Sequence, residues 1–166
     1  QQRDGTGHVA ALFILLGGWI GKGYLNSFYD AHSEQGRSIF WRQVNETLNR
    51  RGIDAWWLDA SEPDLHSNID IGERKARMLP NALGSSVEYF NSYPLKHSEG
   101  VYQGSRQVDP DKRVFILSRA FFAGQQRAGA AFWSGDIVPR WDDFREQISG
   151  LVNASMAGAP NVSFDI

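Results

Sequence analysis

Two adjacent tryptophans stand ahead of a run of acids in the stretch WWLDASEPD, residues 56–64, where Asp59, Glu62 and Asp64 follow Trp56 and Trp57 and Pro63 interrupts the acids. A second tryptophan-bearing run, AAFWSGD (130–136), ends in Asp136, and between the two lies RVFILSRA (113–120), which carries Arg119. Each is a short apolar stretch finishing in a charged group, the form of a buried strand that presents its last residue. If the three strands lie parallel, their C-terminal ends share one rim of a sheet, and Asp59, Arg119 and Asp136 converge there. Two carboxylates facing a common cleft are what cleavage of a glycosidic bond requires. One attacks or stabilises the anomeric carbon while the other protonates the leaving oxygen. The same residues also fit a solvated rim in which Arg119 pairs with acids, so the pair names a chemistry without deciding it.

The elements that must position these groups follow from the rest of the chain. Further strand-like runs occur at 23–30 and 161–166, which bring Asp30 and Asp165 to the same rim. Between the runs lie helical patterns. Phe40, Val44 and Leu48 recur four apart behind Ser33 as an N-cap and before Gly52 as a stop, and Trp141, Phe144, Ile148, Leu151 and Val152 repeat that logic after Pro139. The segment 63–104 reads as a long excursion containing a helix over 71–83. Strands too apolar to keep a wet face, alternating with helices, define an α/β chain with a parallel sheet and crossover helices. Neighbours on a strand face opposite ways, so Trp57 and Trp56 divide between the cleft side and the helix side.

Composition narrows the partners. The 166 residues are 42% hydrophobic and 22% charged with a formal net charge of −2, which suits one globular unit and gives no basic excess for nucleic acid or an anionic membrane surface. The longest apolar run, VAALFILL at 9–16, is far short of the roughly 20 residues that span a bilayer. Cysteine is absent, which removes thiolate chemistry, and His8, His32, His66 and His97 have no metal-ligand spacing, so no metal or other cofactor is expected. GGWIGKG (17–23) lacks the spacing of phosphate-binding glycine loops. The 13% aromatic content suits a core and equally suits a sugar cleft, where ring faces pack on the C–H faces of pyranoses.

GIDAWWLDASEPDLHSN (52–68) resembles the nucleophile motif of glycoside hydrolase family 31, and ILSRAFFAGQQRAGAAFWSGD (116–136) resembles its acid/base motif. GYLNSFYD and GRSIFWRQVNETL are similar to the preceding strand and helix of that family, and WWLDASEPD followed by LHSN is most like its bacterial α-xylosidases. The resemblance implies a partial (β/α)8 TIM barrel, about strands 3 to 7 of the family barrel, and a retaining α-glycosidase working through a covalent glycosyl–aspartate. Asp59 would be the nucleophile and Asp136 the general acid/base. Trp57, Arg119, Trp133 and Asp165 would bind an α-linked oligosaccharide or xyloside, and Glu62 would stand behind them. Ala120 and Ala128 depart from the pattern, which usually has a serine and an aromatic there.

A full barrel takes about 250 residues, so residues 1–166 are expected to be a fragment of the catalytic domain, with 1–17 poorly matched. Such a fragment would lack the first two strands and the last. Its alternative role is a catalytically incomplete carbohydrate-binding or assembly module, and its open sheet edges are expected to favour self-association.

Overall fold

The computed structural model describes residues 14–16, 24–26, 28–64 and 70–165, as backbone alone for 14–16, 24–26 and residue 77. His8, His66, the glycine-rich stretch 17–23 and most of the apolar run 9–16 lie outside the described residues.

Parallel pairing dominates the part of the chain that carries the acids. Strands β3 (Trp56–Leu58), β4 (Ile116–Ser118), β5 (Ala130–Trp133) and β6 (Val162–Ser163) form one sheet in that order, every neighbour parallel. The α/β class and the partial barrel sheet are therefore as the sequence implies. The run at 23–30 behaves differently. Its described strand, β2 (Tyr24–Asn26), pairs antiparallel with β1 (Ile14–Leu16) in a separate two-stranded sheet, because an apolar run specifies burial but not which neighbour it joins.

Register sorts the side chains into two faces. Trp57, Leu117 and Ala131 are paired across β3 to β5, and Trp133 pairs with Ser163, so these share the face away from the helices. The intervening residues Leu58, Ile116, Ala130 and Phe132 are buried against Trp41, Val101 and Ala159, with Trp56 and Val162 partly covered beside them. Trp56 meets Trp41 edge to face at 5.8 Å, which places it on the helix side as alternation requires.

Helix α1 (Glu34–Thr47) starts where Ser33 accepts from the Gly36 N–H at 3.1 Å, and a short 3-10 turn then runs into Gly52, at φ 93°. The crossover from β3 to β4 contains α2 (Ile71–Arg77), α3 (Ser86–Tyr89) and α4 (Tyr93–Val108). The helix expected over 71–83 stops at residue 77, ahead of Pro80, whose ring restricts the residue before it and cannot continue the hydrogen-bond ladder. Helix α4 lies against α1 with Gly104 beneath the Trp41 indole. Helix α5 (Trp141–Met156) half-buries Phe144 and Leu151 but leaves Trp141, Ile148, Val152 and Met156 exposed. No helix among the described residues is long and apolar enough to cross a membrane.

Candidate active site

β3 ends in a tight loop built by its own side chains. Asp59 Oδ1 accepts from the Ala60 N–H at 2.7 Å, Ala60 takes a left-handed φ of 56°, and the buried Ser61 hydroxyl donates back to the Leu58 carbonyl at 2.5 Å. That carbonyl also accepts the Arg119 N–H at 3.1 Å, so the end of β3 is tied both to its own turn and to the end of β4. A left-handed non-glycine residue costs energy that the surrounding bonds must hold, and here it sits beside the candidate nucleophile.

Arg119 is the hub of the rim. Its side chain is 12% exposed, and Nη1 lies 3.2 Å from Asp59 Oδ1 and 3.9 Å from Asp136 Oδ2. Contact with one nitrogen caps the separation of those oxygens at about 7 Å, which admits the retaining geometry. Nε bonds Glu62 Oε1 at 2.8 Å, and Nη2 bonds Asp64 Oδ2 at 2.8 Å. Burial works against the guanidinium's charge, but the Glu62 hydrogen bond and the charges of Glu62, Asp59 and Asp64 outweigh it and hold its pKa above the ordinary arginine value. Glu62 is raised above the usual glutamate range, chiefly by burial and further by Asp64, against the pull of Arg119.

Gly135, at φ 82°, precedes Asp136, and a Cβ there would come within 3.0 Å of Arg119 Cδ. Glycine thus permits both the turn and the course of the arginine stem. On the same face Trp57 and Trp133 meet edge to face, centroids 5.6 Å apart. Asp165 lies beyond β6 at the same end of the sheet and is exposed. Asp30 does not join this rim. It is buried, accepting from the N–H groups of His32 at 2.9 Å and Ala82 at 2.7 Å, and pins the excursion to the turn before α1.

A cleft of about 360 Å³ runs beneath the rim, lined by Glu62, Arg119, Phe121, Trp133, Gln147 and Leu151. Neither Asp59 nor Asp136 lines it. Both acids stand on the open side, 59% and 90% exposed. Among the described residues no cluster of three or more His, Asp or Glu is arranged to hold a metal ion.

Two supports escaped the sequence. Asp64 was visible as an acid, but only the loop geometry brings it back to Arg119. Gln125, wholly buried, donates to Ser98 Oγ at 2.9 Å and Ser118 Oγ at 3.0 Å and accepts the Phe122 N–H, so it fixes the loop after Arg119. A glutamine between glycines, here Gln125 beside Gln126, carries no periodic signal that would reveal this.

The fold and this rim define a class. The model of the glycosyl hydrolases family 31 TIM-barrel domain matches residues 3–166, and the chain belongs to that family. Superposed on the crystal structure of a family 31 α-xylosidase from Xanthomonas citri, the chain gives a TM-score of 0.84 at 67% identity, over 90% of its own length and 16% of the other. It is 39% identical over 132 residues to an α-xylosidase and 32% identical over 144 residues to an α-glucosidase, both of Saccharolobus solfataricus. Those matches take in 80% and 74% of this chain, which spans 18% and 20% of the two relatives' lengths.

Proposed function

We propose that the chain carries the paired acids of a retaining α-glycosidase acting on α-xylosides, as part of a larger family 31 catalytic barrel. The observation that supports this reading is the meeting of Asp59 and Asp136 at one nitrogen of Arg119 on the C-terminal rim of a parallel sheet. In the first step an Asp59 carboxylate oxygen forms a bond to the anomeric carbon as the glycosidic C–O bond breaks, and the Asp136 carboxyl gives its proton to the departing oxygen. In the second, Asp136 takes a proton from water, whose oxygen displaces Asp59 and restores the original configuration. Trp57 and Trp133 offer aromatic surface to the sugar, Arg119 Nη1 offers a donor to a hydroxyl, and Asp165 offers an acceptor at the edge. No cofactor enters either step. The α-xyloside preference rests on the two α-xylosidases among the similar proteins.

A second reading, carbohydrate binding without turnover, is favoured for the chain by itself by the exposure of both acids, since catalysis of this kind gains from a site closed to water. Hydrolysis of an aryl α-xyloside beside an aryl α-glucoside, by the chain and by Asp59→Ala, separates the readings. Turnover abolished by the substitution supports the enzyme. Sugar binding with no turnover supports the second reading. For the roles, Asp136→Ala with azide should yield an α-glycosyl azide, whereas a β-configured product would mean that the two acids have been exchanged.

A further inference from the structure

We propose that Glu62 and Asp64 are the positioning residues of Arg119: they occupy its Nε and Nη2 and leave Nη1 as the one edge it turns toward Asp59 and Asp136. The inference rests on the role given to those two acids above and concerns how their shared arginine is held.

A guanidinium has five N–H groups in one plane. Glu62 takes Nε with Oε1 at 2.8 Å and approaches Nη2 with Oε2 at 3.4 Å, while Asp64 Oδ2 takes Nη2 at 2.8 Å. The fork-to-fork geometry with Glu62 fixes the plane as well as the position. Turning the planar group about its Cδ–Nε bond would break the Nε and Nη2 bonds together. Gly135 lies against the stem, where a Cβ would come within 3.0 Å of Arg119 Cδ.

Glu62 and Asp64 belong to the loop that begins at Asp59, and the Leu58 carbonyl before it is bonded by both Ser61 Oγ and the Arg119 N–H. One loop therefore carries the candidate nucleophile and also sets the angle of the arginine that faces it. Asp64 also faces a second cation, its Oδ1 lying 3.9 Å from Arg74 Nη1. With Nε and Nη2 occupied, Arg119 is suited to donating a fixed hydrogen bond from Nη1 to a sugar hydroxyl. The raised pKa of Glu62 fits a carboxylate held in this partly buried clamp for its geometry.

The test is nitrogen-15 NMR of arginine side chains in the full 166-residue chain, with the Arg119 Nε–H assigned by its loss in Arg119→Lys. The wild-type Nε–H should exchange with water at least about tenfold more slowly than the exposed arginines. Glu62→Ala should bring it to the exposed rate, and Glu62→Gln, which keeps a neutral acceptor, should restore part of the protection. If Glu62→Ala loses its cooperative melting transition, Glu62→Met, similar in length and without an acceptor, replaces it. A wild-type Nε–H exchanging at the exposed rate, or protection that survives in a folded Glu62→Ala or Glu62→Met, overturns the proposal. Where the chain turns over an aryl α-xyloside, Glu62→Met should lower kcat/KM by at least about tenfold, and an unchanged kcat/KM overturns the positioning role while leaving the enzyme reading intact. If wild type shows no turnover, the second reading holds for the chain by itself and the exchange rates still decide how Arg119 is held.

Discussion

Trp57 and Trp133 touch edge to face at 5.6 Å although β4 lies between their strands, and one is 70% exposed while the other is 7% exposed. Leu117 on β4, half-buried, lies between their strands on the same face. The pair is therefore asymmetric. Trp133→Ala should cost about 3–5 kcal/mol in denaturant unfolding, because it empties a packed position. Trp57→Ala should change stability by no more than roughly 1 kcal/mol and should instead weaken sugar affinity, measured by calorimetric titration with xylose. Equal stability losses in the two variants would show that Trp57 is a core residue.

Much of this arrangement was legible in the residues. The apolar runs that carry Asp59, Arg119 and Asp136 became β3, β4 and β5, with each charged residue just beyond its strand, and alternation alone separated Trp56 from Trp57. Ser33 caps α1 and Gly52 ends the 3-10 turn that follows it, because caps are written locally. Helix α4 was not read, although Pro94 offers a start signal, because its buried face is built from His97, Ser98, Gly100 and Gly104 as much as from Leu95 and Val101, which dilutes the apolar period. The pairing of 24–26 was misread because the partner of a strand is a tertiary fact. The hold of Glu62 and Asp64 on Arg119 spans more than 50 residues of sequence and depends on how a loop folds back, which no local pattern records.

His97 makes stability depend on acid. Its ring is buried, shares a 2.6 Å hydrogen bond at Nδ1 with the Tyr29 hydroxyl, and has its pKa lowered from 6.5 to about 4 by burial. Tyr29 is itself shifted upward by burial, so both partners of this bond are neutral in the folded chain. The unfolded chain then binds the extra proton first, so stability is present above pH 6.5 and is lost as pH falls toward about 4. The full loss is about 3 kcal/mol. Melting temperatures of wild type and His97→Gln, compared from pH 7 to pH 4, should converge as pH falls. Parallel curves would remove His97 from the acid limb.

Gly104 should resist a substitution that usually helps a helix. Alanine ordinarily gains up to about 1 kcal/mol over glycine in a helix interior. Here a Cβ would fall inside van der Waals contact with the Trp41 indole, which sits against α4 and anchors the core. Overpacking of this kind costs about 1–3 kcal/mol, so Gly104→Ala should lower the melting temperature. Gly150 provides the control, since a Cβ there meets nothing within 4 Å, and Gly150→Ala should raise it or leave it unchanged.

Association is the last expectation, and it follows from the outer strands. Among the described residues β3 and β6 bound the four-stranded sheet, each with one side of its backbone not paired within that sheet. Unpaired edges of this kind template pairing with another copy. A lysine placed at the edge opposes such pairing by charge and hydration. Ala55 and Ser163 are exposed beside or on these strands, so substituting lysine there leaves the core untouched. Light scattering behind size-exclusion chromatography should show a wild-type mass that grows with loading concentration, and Ala55→Lys with Ser163→Lys should bring it back toward the 18.6 kDa of one chain. A wild-type mass of one chain at every concentration would show that these edges do not pair.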